Sequence, residues 1–529
     1  MRESITGNVK LADTNAEVFK SLLKFIYTGE IKLDLERATE MVEMAAFLQV
    51  KSLQKICEEY LIPLISDENC VKLWKTADLN NCELLRRESL GKILTNFPSI
   101  STTTEYYDLD IEELVKIISQ EDLYIANEED LCKSLFKWVD KDEGREFSFD
   151  EVLEHIRLPL LRPEFLMKLE NIPYVKNNER CMEFISEAKN YQLLPARQHE
   201  FENARTHARS MSDLEEVVVV LGGCESTKPP YTRSRSAYCY SFRQKKWFEI
   251  APLPYDPGIE FASVTYHNDI YISGGGMMQL SFLWYEISKN EWHRLEPMIR
   301  GRRRHASLAV YDAVYILGGY DSDRKHGEQM LDNVEKYVIS EARWEEAGHL
   351  ATAVSCFTVI ILDDKIYTFG GEKNNRVDTA LIQCYDITTQ QTSKLSARIP
   401  MACKLTRSCV INDRIFLIFY DGRVIEFFKE SDKQDEEGPI CRTVGRFDAF
   451  QRTHFGVVQH RGNVIIVGGV IENTKPCSDI LMFNTETKEC STLDDTMFTA
   501  RLVDGCVKIL VPKKHLVPLA DDEYEVSQC

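Results

Sequence analysis

Apolar positions recur with a helical period through roughly the first 200 residues and fall into short β-branched or aromatic runs after them, dividing the chain into a helical and a strand-rich half. Thr14-Asn15-Ala16-Glu17 reads as a capping box opening a helix whose Val18, Phe19, Leu22, Leu23 and Ile26 share one face until Gly29 ends it. Met41, Val42, Ala45 and Leu48 form a second stripe. Leu53, Ile56, Cys57 and Tyr60 form a third, stopped by Pro63, and Leu90, Ile93, Leu94 and Phe97 a later one, stopped by Pro98. Leu131, Leu135, Trp138 and Val139 continue the array, as does Val152 to Leu158 before Pro159. These stripes are read as core rather than as a binding groove.

Beyond residue 215 the strands Val217–Leu221, Ile270–Ile272, Val314–Leu317, Ile366–Phe369 and Val464–Val467 each end in a glycine pair: 222-223, 274-275, 318-319, 370-371 and 468-469. Ile415–Ile418 ends instead in Phe419-Tyr420, and successive repeats lie 44 to 52 residues apart. Downstream, an aromatic is followed seven positions later by a second marker: Tyr240 and Trp247, Tyr285 and Trp292, Tyr337 and Trp344, then Tyr385 and Thr392, Phe483 and Cys490. The Phe419 repeat has Phe427 and Phe428 before an acidic insertion, Glu430 to Glu437. Glycine allows a blade's inner strand to end close to its neighbours, and aromatics fill the wedge between sheets. The pattern resembles the kelch repeat over about residues 215 to 512, with repeats four to six degenerate, and implies six blades. An extra apolar strand within Phe498 to Val511 is expected to complete blade one and remove the free edges.

Composition narrows the function classes. Lys and Arg total 64 against 84 Asp and Glu, a net charge of −20 that disfavours nucleic acid and anionic membranes as partners. No apolar stretch is long enough to span a bilayer and no secretory signal pattern opens the sequence, so a cytoplasmic location, cytoskeletal or nuclear at its limits, is expected. The sixteen cysteines include no CxxC pair and no zinc-finger spacing; they read as buried thiols, with oxidant sensing by one or two as the alternative.

Phe25-Ile26-Tyr27-Thr28-Gly29, Ala45-Ala46-Phe47-Leu48-Gln49 and Cys57 ahead of Leu61 resemble the C-terminal half of a BTB domain. Asn69-Cys70, Ala77, Asn96-Phe97, Trp138-Val139 and Arg157-Leu158-Pro159-Leu160-Leu161 resemble a BACK domain. With the repeats, the whole chain resembles the kelch-like family of BTB-BACK-kelch proteins. The implied architecture is multidomain α plus all-β: a truncated α/β BTB remnant at 1–64, an all-α BACK domain at 65–195, a linker at 196–214, a six-bladed kelch β-propeller at 215–512 and an acidic tail at 513–529. A complete BTB domain of the family carries roughly seventy further N-terminal residues. The expectation is therefore a poor core for residues 1–64 alone, impaired BTB homodimerisation, and a truncated gene model or shortened isoform.

The resemblance implies a non-catalytic adaptor of a cullin-3 ubiquitin ligase, with an actin-binding scaffold as the alternative. Cullin docking falls by resemblance to Met1 and Glu3, which fit a hydrophobic-x-Glu pattern, to Tyr27, and to the first BACK helices, Asn69 to Phe97. Substrate contacts in the family surround the residues opening each inner strand; fourteen residues before Gly274, Gly318, Gly370, Phe419 and Gly468 stand Glu260, Arg304, Cys356, Leu405 and His454. Arg300-Gly301-Arg302-Arg303-Arg304 suits capture of carboxylates or phosphate on a partner peptide, the alternative being a solvated basic loop. Arg302, Arg304 and His454 are substrate-binding candidates, joined by Tyr231, Arg233 and Arg235 of the long first-repeat loop. No cofactor or metal is expected: the eleven histidines are dispersed, and neither a nucleophile elbow nor a phosphate-cradling loop is present.

Overall fold

The computed structural model describes residues 15–194, 198, 201, 203–226, 233–362, 364–374, 376–411, 414–428, 441–471 and 475–519. Two compact units emerge. One comprises the chain up to Arg157 with Glu164–Phe184 and Arg209–Ser212; the other comprises Leu158–Pro163, Ile185–Ala208 and everything from Asp213.

In the first unit, Asn15 rather than Thr14 caps the opening helix, Ala16–Thr28: its side chain accepts the Glu17 N–H at 3.1 Å, and Thr14 lies outside the described residues. Gly29 ends the helix at φ 72°, its N–H donating to the Phe25 carbonyl. Val18 and Leu22 are buried, with Phe19 and Phe25 packed against them. Leu23 and Ile26, expected in the core, are 38% and 54% exposed, because the buried stripe is narrower than the apolar one. Helices Leu35–Phe47 and Lys51–Leu61 add Met41, Val42, Ala45, Leu53 and Cys57 to the same cluster, and helices Cys70–Leu79 and Glu83–Thr95 add Leu73, Ala77 and Leu85. The described residues before 64 thus share one continuous core with the two helices that follow. Further along, Trp138 on helix Glu128–Val139 donates to the Leu109 carbonyl at 3.0 Å beneath the Arg145 guanidinium. Buried Arg209 bonds to Glu128 and to the carbonyls of Ile118, Gln120 and His155.

The second unit holds six antiparallel blades. Blade one has five strands and blades two to six have four each, with a small three-stranded sheet beside blade six. The first strands of the blades, Gly505–Pro512, Ala262–Tyr266, Ala306–Val310, Thr358–Leu362, Arg407–Ile411 and Gly456–His460, touch one another in cyclic order, the last meeting the first. That cycle is the wall of a closed propeller. The glycine-terminated strands, expected innermost, are second in each blade. Each pairs outside a wall strand, as in Ala306↔Leu317 and Thr358↔Phe369, because the chain enters a blade at the axis one hairpin earlier.

The seven-residue markers are directly opposed cross-strand partners: Tyr240↔Trp247, Tyr285↔Trp292, Tyr337↔Trp344, Tyr385↔Thr392 and Phe483↔Cys490. Each second marker also reaches the preceding blade. The indole N–H groups of Trp247, Trp292 and Trp344 donate to the carbonyls of Thr496, Ala251 and Glu296 at 2.6, 2.8 and 2.9 Å. Thr392 reaches the His349 carbonyl through its hydroxyl at 2.7 Å, and Cys490 meets the Arg446 backbone. The weaker chemistry of the later repeats therefore keeps the same inter-blade link.

The second glycine of a pair donates its N–H across the blade boundary: Gly275 to Arg302 O, Gly319 to Val354 O, Gly371 to Cys403 O and Gly469 to Arg501 O, at 2.8 to 3.1 Å. Gly371 lies at φ 102°, where a Cβ would stand 2.7 Å from the Ser355 carbonyl. Blade five replaces the pair with a tight turn, in which the Gly422 N–H donates to Phe419 O at 3.0 Å and the Gly422 carbonyl accepts from the Phe447 N–H at 2.9 Å. The ring closes as the C-terminal strand predicted. Gly505–Pro512 pairs antiparallel with Leu214–Leu221 from Leu214↔Pro512 to Leu221↔Gly505, and Val517–Pro518 adds a short strand on the outer edge of blade one.

Candidate functional site

Antiparallel pairing brings the start of each wall strand and the end of each glycine strand to one end of the propeller, so the loops following the glycines and those entering the next blade converge there. Glu260, Arg304, Cys356, Leu405 and His454 each stand two residues before a wall strand, all in the left-handed region with φ of 68°, 56°, 55°, 59° and 51°. These positions form an annulus tied by backbone bonds across four of its boundaries: Arg304 donates to the Glu260 carbonyl at 2.9 Å, Cys356 to Arg304 at 2.8 Å, Leu405 to Cys356 at 2.8 Å, and Val503 to His454 at 2.7 Å. The count of fourteen thus marks one structural position in every repeat it was applied to.

The side chains of the annulus are largely committed to one another. Arg304 pairs with Glu260 at 2.7 Å and Arg303 with the same carboxylate at 3.3 Å. Lys404 lies 2.6 Å from Glu372, and His454 lies 2.8 Å from Asp504. Asp504 also accepts the Glu260 N–H at 2.8 Å and lies 3.8 Å from Arg407. Burial pushes the Asp504 carboxyl up, but His454, Arg407 and the Glu260 N–H outweigh it and hold it below its ordinary value. Burial raises the Cys356 thiol to about 11, so this cysteine is protonated at neutral pH.

Arg302 is not a loop group free to meet a partner. Its side chain is fully buried, donates to the Gly318 carbonyl at 2.9 Å and pairs with Glu335, itself fully buried. Arg452 and Arg501 repeat the role two residues before His454 and Val503, donating to the carbonyls of Gly468 and Gly222 at 3.3 and 3.0 Å and pairing with Asp479 and Glu225. These arginines satisfy glycine carbonyls left without strand partners, which is a structural duty. The other candidates are dispersed. Arg233 is exposed and bridges to Cys224, 3.9 Å from Asp256; Arg235 is exposed and donates to the Pro254 carbonyl at 3.4 Å. Tyr27, at the end of its helix, is 86% exposed. Met1, Glu3 and Tyr231 lie outside the described residues, as does the insertion from Glu430 to Glu437.

Two features escaped the sequence reading. Asp504 ties His454 to Glu260 at the ring's closing seam; it directly precedes the completing strand that Gly505 opens, where no following glycine pair exists from which to count back. The loop-bearing end also exposes Met277, Met278, Leu280, Ile299, Val377, Tyr420 and Phe498. Among the described residues no group of three or more His, Cys, Asp or Glu could hold a metal ion.

Comparison with known proteins follows the same divisions. A BTB/POZ domain model matches residues 1–64, a BACK (BTB And C-terminal Kelch) model residues 70–171, and a Kelch motif model residues 301–350 and 451–497. Kelch-like protein 6 of Homo sapiens is 28% identical over 390 residues, 72% of this chain and 61% of that protein, so the match spans less than two thirds of its length. Kelch-like protein 24 of Rattus norvegicus is 28% identical over 491 residues, covering 92% of this chain and 78% of that protein. The Homo sapiens Kelch-like protein 24 is 30% identical over 341 residues, covering 64% and 55%.

Proposed function

The chain belongs to the kelch-like family of BTB-BACK-kelch proteins, and from that premise we propose that it is a non-catalytic substrate-recognition adaptor of a cullin-3 ubiquitin ligase. The observation that carries the reading is the loop-bearing end of the propeller, where a hydrogen-bonded annulus carries loops of unequal length and exposed apolar groups. A partner segment lies across that end beside Arg304 and His454, with Arg233 and Arg235 at its blade-one side. The BTB and BACK segments dock cullin-3 through Tyr27 and the helices from Cys70 to Thr95. The adaptor acts by proximity: it raises the effective concentration of substrate lysines near a catalytic subunit that is a separate protein. A cytoplasmic location belongs to the same proposal.

Affinity capture of cullin-3 by the full chain, followed by ubiquitination of the bound partner in a reconstituted ligase, tests the reading. Tyr27→Ala is expected to weaken cullin-3 binding by about tenfold or more without moving the melting temperature. Cosedimentation with actin filaments in the absence of any cullin-3 capture would favour a cytoskeletal scaffold instead.

A further inference from the structure

We propose that the segment gripped by the loop-bearing end is anchored by large apolar side chains, not by carboxylates, and that it seats on a patch made by Met277, Met278, Leu280 and Ile299. The inference rests on the reading of that end as the partner site and adds the chemistry of the partner.

Three loops converge to make the patch. The Met277 N–H donates to the Pro257 carbonyl at 3.1 Å, and the Met298 N–H to the Leu280 carbonyl at 3.0 Å. The Arg302 N–H reaches Gln279 O at 2.8 Å, tying the next loop to the same turn. Glycines let the loops close up: a Cβ on Gly258 would stand 2.9 Å from Met277 Cγ, and one on Gly301 would stand 3.2 Å from Gln279 Cβ. Met277, Met278, Leu280 and Ile299 are left 56%, 45%, 49% and 45% exposed. Such a cluster on a loop face marks an interaction surface, and methionine adapts to varied apolar partners.

Charge decides what the occupant carries. Arg303 and Arg304 share Glu260, Arg300 lies 3.3 Å from Glu346, Lys404 holds Glu372, Arg423 holds Asp421 at 2.7 Å and His454 holds Asp504. Beside the patch, a carboxylate arriving at Arg300, Arg303 or Arg304 must break a pair already made and displace an anion of its own kind. The chain's net charge of −20 also repels an acidic segment at long range. An uncharged or basic segment with two or more large apolar residues meets neither obstacle.

The test uses the full chain, immobilised and panned with a phage-displayed random dodecapeptide library, with enriched peptides then measured by fluorescence polarisation. Enriched sequences are expected to carry several large apolar residues and no net negative charge. Leu280→Glu or Met278→Glu should weaken them by about tenfold or more, and Lys325→Glu, at an exposed lysine in the loop after Gly319, by less than about threefold. All variants are expected to melt with the parent, since the substituted side chains are exposed. An absence of enrichment, or enrichment of acidic peptides that tolerate Leu280→Glu and are lost with Lys325→Glu, overturns the apolar anchor and leaves the site intact. Apolar peptides that bind and tolerate Leu280→Glu, Val377→Glu, Tyr420→Glu and Phe498→Glu alike overturn the placement of the partner on this end of the propeller.

Discussion

Arg302 and Arg304 stand two residues apart and obey different energetics. Arg302 and Glu335 are both fully buried, so removing one partner strands the other charge, which costs about 3–5 kcal/mol. Arg302→Ala is therefore expected to lower the urea midpoint of the propeller strongly, whereas Arg304→Ala is expected to lower it less, because its side chain is part-exposed and Arg303 still pairs with the Glu260 carboxylate. Asp504 adds a pH term. Its folded-state pKa lies below the ordinary value, so its ionised form contributes stability above about pH 4, and that contribution fades as pH falls through the lowered value. The stability gap between the parent and Asp504→Asn, followed by urea denaturation, should be full near pH 6 and shrink on acidification below about pH 4. The charge run at 300–304 was legible in the sequence and its burial was not: Glu335 lies 33 residues from Arg302, and nothing local announces the pairing.

Among the elements, glycine has opposite signs in the two units. Gly91 lies on the exposed face of helix Glu83–Thr95, where an added Cβ would meet nothing within 4 Å, so Gly91→Ala is expected to stabilise by about 0.5–1 kcal/mol through helix propensity. Gly371 is held at φ 102° against the Ser355 carbonyl, and Gly371→Ala should cost about 2 kcal/mol or more. Thermal melts of the two variants read both signs. Hairpin elements were the most legible part of the chain, because a Tyr and a Trp seven residues apart are cross-strand partners written within one short stretch. Which strand of each hairpin faces the axis was not legible: both are apolar, and only contacts between repeats distinguish them. Helix Ala16–Thr28 was found by its period, yet its apolar face is wider than the core it joins, which is why Leu23 and Ile26 emerge exposed.

At the scale of the whole molecule, the repeat period and the spare apolar strand after the last repeat were enough to anticipate six blades and their closure. The ties across the annulus were not, since Asp504 and Glu260 are 244 residues apart. Removing residues from Gly505 onward is expected to open blade one, expose the edge of Leu214–Leu221 and replace one cooperative unfolding transition by a broad one, with rapid cleavage by added protease. Because Val219 pairs with Val507, the register of the first blade is set by residues translated long after Val219 itself. Until they leave the ribosome, five blades and a three-stranded remnant of the first wait with an open seam, and a nascent chain arrested at residue 500 should remain bound by chaperones while one extended past residue 519 is not.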